Sequence, residues 1–362
     1  MRTPGESSAL AIPLALWAVM VLAVVGLAWA FGYAPFHGAT WSRYDSIHYE
    51  QIARNGYDLV RCPPGVWKPG AWCGDAGWFP GYPWLVAPLH AAGLPLRGSA
   101  IAVSWAFAAA TLVLLWNTFF RRRRNNVLAL VYAAWAPGMI YGVSIFPLSV
   151  LAFFTVAWLW LLGRDRFLAA GLAGAAAVLA YPLGVLLIPL SAAWILARRR
   201  AWITAALSAG GLAVLFADQA IETGHWNAYS LVQRNYGHHL INPVATTRDL
   251  LKPIVTSSEL THVGPALQSL LVTCVLIAVL VVAVRRRRLL ERWELLVLLW
   301  AVVTWIVPLG QSYLSVQRSQ AALVPVVVLF RRLPRPLVVV FAVAAIAVAV
   351  LVEKLFLEGK IV

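Results

Sequence analysis

Asp45, His48 and Glu50 stand close together in WSRYDSIHYEQIARNGYD, residues 41–58, a polar stretch in a chain that is otherwise mostly hydrocarbon. A carboxylate and an imidazole at this spacing could take a proton from a hydroxyl. Asp45 is a good helix N-cap, Arg54 suits a last turn and Gly56 suits the position just past a helix end, so the spacing predicts a helix over 46–55. Asp45 and His48 then lie about one turn apart on one face, and Tyr49, Ile52 and Ala53 form a stripe that could rest on lipid and hold Asp45 at headgroup level. A purely structural reading stands beside this one. Asp45 could serve only as the cap, and a helix N-terminus stabilises a carboxylate and makes it a weaker base. A histidine such as His48 is commonly a structural hydrogen-bonding residue. Asp45, His48 and Glu50 could also hold a metal, but their spacing is not diagnostic and no metal site is assigned.

The elements that must position these residues follow from composition. The chain has 362 residues, 61% hydrophobic and 12% charged, against about 25% charged in soluble domains. It reads as an all-α polytopic membrane protein, a single transmembrane domain over 1–362 with about ten or eleven spans of ~20 residues. Apolar segments fall at 10–32, 99–120, 125–143, 147–163, 167–180, 182–197, 201–217, 266–284, 293–309, 318–330 and 337–357. The pair flanking Tyr181-Pro182 is short and could be one broken helix. The apolar run behind Arg2 is longer than a secretion-signal core and is expected to be retained as the first span.

The net charge of +15 is not a nucleic-acid signature, because much of it lies in runs at the ends of apolar segments: 121–124, 198–200, 285–288, and Arg331, Arg332 and Arg335. Short basic loops stay cytoplasmic. Placing them inside puts the N-terminus in the cytoplasm, with 18 of the 29 basic and 4 of the 14 acidic residues on that side. All seven histidines then fall outside, in two long segments, 33–98 and 218–265. Residues 79–97, broken by four prolines, read as a short interfacial helix. No charge is expected deep in a span, which argues against a transporter.

Cations that could hold a phosphate are few on the outer side. Arg318 begins a segment there and could grip a phosphate through two parallel hydrogen bonds, or could be an interfacial anchor. Arg234, His238, His239 and Lys252 lie in the second outer segment as further candidates, or as part of a solvated loop. Tyr49, Glu50 and Tyr82 are expected to contact substrate. Asp218 and Glu222 are the alternative bases if Asp45 is only a cap.

Tyr44-Asp45-Ser46-Ile47-His48-Tyr49, Ile52-Ala53, Gly56-Tyr57 and Phe79-Pro80-Gly81-Tyr82-Pro83 together resemble the first-loop signature of the PIG-V-like mannosyltransferases of the GT-C superfamily. Tyr44 stands where that pattern has tryptophan, Trp78 replaces its first phenylalanine, and the residues between Asp58 and Trp78 look like an insertion. Cys62 and Cys73 fall in that insertion, where a disulfide would staple it in an oxidising compartment. The resemblance implies a GT-C-like bundle that moves a sugar, mannose above all, with inversion from a polyprenyl-phosphate donor to a hydroxyl of a glycolipid, glycan or protein at the outer face. It implies a base at Asp45, an arginine near Arg318 and no obligatory metal or cofactor. The Ala, Arg and Trp richness suggests a GC-rich bacterial genome, hence a plasma membrane with an extracytoplasmic site. A lipid-linked-sugar flippase or solute transporter, and a non-enzymatic scaffold subunit, are the competing readings.

Overall fold

Long apolar runs can satisfy their backbone hydrogen bonds in hydrocarbon only by closing them internally, and the α-helix does this within one segment. A computed structural model describes residues 7–120, 126–311 and 316–361. The Arg121–Arg124 run, Arg2 and Glu6 lie outside the described residues. The chain is an all-α, multi-pass membrane protein: among the described residues, six helices are long and apolar enough to cross a membrane. They lie at Ala9–Ala30, Leu96–Phe120, Arg199–Thr223, Leu260–Arg285, Arg292–Gln311 and Arg335–Leu357. Shorter apolar helices cover Leu148–Leu162, Phe167–Ala180 and Pro182–Trp194.

In chain order, α1 (Ser7–Ala30) leads to α2 (Ser46–Asn55), and a small antiparallel pair, β1 (Val60–Arg61) with β2 (Trp72–Cys73), follows. Then come α3 (Gly81–Ala91) and α4 (Leu96–Leu115), whose last turn widens into a π-helix at Trp116–Phe120. Next are α5 (Asn126–Ala134), α6 (Ile140–Val143), α7 (Leu148–Leu162), α8 (Phe167–Ala180), α9 (Leu187–Trp194) and α10 (Trp202–Thr223). The second polar segment carries α11 (Ala228–Gln233), α12 (Pro243–Leu251) and α13 (Pro253–Thr256). The chain closes with α14 (Leu260–Arg285), α15 (Arg292–Gln311), α16 (Val316–Ala321) and α17 (Arg335–Leu357).

Two segments read from sequence as single spans are divided. Residues 126–143 split into α5 and α6 around Pro137. Residues 316–332 form α16 and then a nine-residue 3₁₀ helix, Val324–Arg332. That mixture still reaches far, since nine residues at ~2.0 Å and six at ~1.5 Å give about 27 Å. The break at Tyr181-Pro182 is a reversal, not a kink. Tyr181 is extended, and the 3₁₀ turn Pro182–Leu186 folds back on α8 so closely that a Cβ on Gly184 would collide with the Ala177 carbonyl oxygen. α8 also packs against α10 through small residues, with Gly171 facing Leu207 and Gly174 facing Ser208, as helices do where no water drives their association.

α2 spans the residues expected, with Gly56 past its end at φ 77°. Its apolar stripe does not rest on lipid. Tyr49, Ile52 and Ala53 are buried in protein, and Tyr49 packs edge-on against Tyr82 of α3 and against Phe146. The reason is α3, which lies against α2 and takes the stripe. Cys62 and Cys73 form the disulfide and clasp the β1–β2 pair.

Glu353 stands near the end of α17, not deep in the span. It is fully buried, and neither carboxylate oxygen has a hydrogen-bond partner among the described residues. At the other end of the molecule, buried Glu294 accepts from Arg331 at 3.1 Å and from Arg332 at 2.8 Å, tying the start of α15 to the end of the 3₁₀ helix.

Gly184→Ala should destabilise the fold by about 2 kcal/mol or more, because its Cβ would meet backbone and not a yielding side chain. Gly142→Ala, with nothing within 4 Å of the added carbon, should be tolerated. Thermal unfolding in detergent measures both.

Candidate active site

Tyr44, with φ 53°, sits in the left-handed region that non-glycine residues seldom adopt, a conformation that persists only where surrounding contacts hold it. Here the contacts are named. The Tyr44 hydroxyl accepts from the Ile361 backbone N–H at 2.7 Å, and its ring meets Phe356 edge-on at 5.7 Å. The turn aims Asp45 away from its helix. Asp45 occupies the N-cap position, yet its side chain makes no capping bond. The neighbouring Ser46 does the local work, accepting from the Arg43 N–H at 3.1 Å and donating to the Ile145 carbonyl at 3.0 Å. The cap reading of Asp45 is therefore overturned.

The Asp45 carboxylate accepts instead from the Arg318 guanidinium on α16, 273 residues away in sequence. Arg318 is held among aromatic rings, 5.8 Å over Tyr44 and 5.6 Å over Phe146. Cations favour such faces.

This pair lines a cavity of about 670 Å³, within the size range of small-molecule sites. Its walls come from five stretches: Asp45 and Tyr49; Gly77 and Trp78; residues 181–183; residues between Tyr229 and Leu240; and residues between Val307 and Ser319. The lining carries two guanidiniums, Arg234 and Arg318, against one carboxylate, Asp45. Burial, then the nearby Tyr181 and Asp45, drives the Tyr49 hydroxyl well above its usual range, so it faces the cavity as a neutral hydrogen-bonding group. Burial, then His239, pulls His238 below the usual histidine range, and His238 lines the cavity. His239 also lines the cavity, its Nδ1 within 2.7 Å of the Gly237 carbonyl.

Other expected residues go elsewhere. Glu50 does not line the cavity: Arg97 donates to it at 2.9 Å and the Ser42 hydroxyl at 2.5 Å, clamping α2 to the start of α4. Tyr82 is fully buried and its hydroxyl donates to the Ala100 carbonyl at 2.8 Å, so it supports Tyr49 from beneath. Lys252 is exposed at the α12–α13 junction and does not line the cavity. Glu222 is occupied by the Tyr57 backbone N–H, and neither it nor Asp218 lines the cavity. His48 points to Asp75, its Nδ1 2.5 Å from the carboxylate, and stacks on Trp78 at 3.4 Å. It stands behind the Trp78 wall, one layer from the cavity. Asp45, His48 and Glu50 thus have three different partners, and no cluster of three His, Cys, Asp or Glu side chains suited to a metal forms among the described residues.

Sequence reasoning missed Asp75, whose N–H donates to Asp58 at 2.9 Å, and it missed the ties that fix the Trp78 turn. Gln219 donates to the Ala76 carbonyl at 2.8 Å, Gln233 to Gly77 at 2.6 Å, and the Tyr57 hydroxyl to Trp78 at 2.8 Å. The two long polar segments, 33–98 and 218–265, therefore interlock. No protein-family model matches the chain, and no curated protein matches it.

Glu50→Ala and Arg97→Ala should each destabilise the protein, and the double variant should fall short of additivity by about 0.5–1 kcal/mol, the usual worth of a partly exposed pair. Unfolding midpoints of the four proteins measure this coupling.

Proposed function

We propose that the protein is an inverting glycosyltransferase that moves a sugar, mannose by resemblance, from a polyprenyl-phosphate donor to a hydroxyl of a glycolipid, glycan or protein. The proposal includes a GT-C-like bundle of about ten or eleven spans in a bacterial plasma membrane, with the cavity at the extracytoplasmic face and the N-terminus in the cytoplasm. The observation that carries it is the meeting of Asp45 and Arg318 in one net-positive cavity. A base and a phosphate-binding cation side by side are what such a transfer needs. In the step itself, Asp45 accepts the proton of the acceptor O–H as that oxygen bonds to the sugar's anomeric carbon. The bond from that carbon to the donor phosphate oxygen breaks, and its electron pair leaves on polyprenyl phosphate, facing Arg318. Tyr49 offers a neutral hydroxyl to the sugar, and Arg234 and His239 line the same space. The transport reading would need polar groups through the bilayer depth, and Glu353, the buried carboxylate of α17, does not line the cavity.

Asp45→Asn should lower transfer by about 10²–10⁴-fold, the usual contribution of a general base, while the protein still inserts and folds. Arg318→Gln should cut activity more than Arg318→Lys. Purified protein incubated with polyprenyl-phosphate-mannose, then with the glucose and arabinose equivalents, gives the readout by mass spectrometry; full activity in Asp45→Asn removes Asp45 from the chemistry. For orientation, Ile47→Cys in a Cys274→Ser background should react with an impermeant maleimide in intact cells, and Arg287→Cys only after permeabilisation. The opposite pattern overturns the extracytoplasmic placement.

A further inference from the structure

Asp45 and Arg318 cannot both do their work while bound to each other. A carboxylate oxygen occupied by a guanidinium is not presented to an acceptor hydroxyl, and a guanidinium engaged by a carboxylate has fewer of its five donors left for phosphate. Resting on the glycosyltransferase reading, we propose that the pair is a latch opened by the donor: the phosphate takes over the Arg318 guanidinium, and only then is the Asp45 carboxylate released as a base.

The geometry favours an exchange of partners over a swing of the arginine. The Arg318 side chain is 12% exposed and lies over Tyr44 and Phe146, so the guanidinium stays put while its partner changes. Asp45 is the more exposed half. It is 28% exposed and makes no capping bond to hold it. The incoming anion also has more to gain than Asp45 does. A phosphate can accept two parallel hydrogen bonds from the fixed guanidinium and lies in a cavity whose walls also present Arg234 and His239. The carboxylate, tethered to the first residue of α2, is held by its backbone beside Arg318. The latch imposes an order: without donor the carboxylate is occupied by Arg318, and with donor bound it is free to face the acceptor.

The test is binding, not turnover. Equilibrium affinity for geranyl phosphate, with inorganic phosphate as a second arm, is measured on the purified full chain, on Asp45→Asn, on Arg318→Gln and on the double variant. The latch predicts that Asp45→Asn binds geranyl phosphate about tenfold tighter than the unaltered protein, a shift of about 1.4 kcal/mol, and that the gain vanishes when residue 318 is glutamine. No gain, or an equal gain in both backgrounds, overturns it, since the second result is plain removal of a negative charge. If Arg318→Gln binds as well as the unaltered protein, the phosphate role of Arg318 fails, and with it the reading on which the latch rests. Inorganic phosphate binding as tightly as geranyl phosphate overturns a lipid-borne anion as the opener. Should Asp45→Asn lose its thermal transition, Asp45→Ser provides the same comparison.

Discussion

Opposite charges in a mostly apolar protein must meet each other or water, and the meeting of Asp45 with Arg318 organises one end of this molecule. Separating charge from water is costly, and a pair recovers that cost only when its geometry is fixed by neighbours. The neighbours are aromatic and mostly buried. Tyr44 supplies the strained turn that lifts Asp45 off its helix, while Tyr44 and Phe146 wall in the guanidinium. The Ile361 backbone, at the end of the last helix, holds the Tyr44 hydroxyl. Residues near both ends of the sequence thereby set the position of one carboxylate.

The cavity exists because two loops remote in sequence are bonded into one cap. Gln219 and Gln233 satisfy carbonyls of the turn before Trp78, and Asn235 donates to the Trp72 carbonyl at 2.6 Å. These amide side chains take the place of water for backbone groups that would otherwise be buried unpaired. Behind them, the His48–Asp75 contact and the His48–Trp78 stack stiffen the same wall. The polar stretch after α1 is therefore scaffold on the His48 and Glu50 sides and cavity wall on the Asp45 and Tyr49 sides.

Charge is sorted along the molecule in a way that serves both fold and site. At one end Arg331 and Arg332 converge on buried Glu294, and at the other Arg97 holds Glu50 and Arg318 holds Asp45. The cavity lining carries two guanidiniums, Arg234 and Arg318, and one carboxylate, Asp45.

Sequence alone determined the all-α membrane class, the helix over 46–55 and its glycine stop, and the gathering of all seven histidines in two long segments, 33–98 and 218–265. Hydropathy, helix-end chemistry and short-range spacing are local properties, and they are carried by the residues themselves. It also marked Asp45 and Arg318 individually, by type and placement. What it could not supply was any contact between residues far apart in the chain. Helix periodicity puts Asp45 and His48 on one face, but the partners that draw them apart, Arg318 and Asp75, come from elsewhere. Glu50 and Tyr82 read as exposed chemistry because nothing in their spacing reveals Arg97 or Ala100. The split of residues 126–143, the 3₁₀ stretch after Ala321 and the reversal at Gly184 depend on what packs beside them. Tertiary structure decided which charges pair, because pairing depends on distance in space, and that distance is set by the packing of the whole bundle.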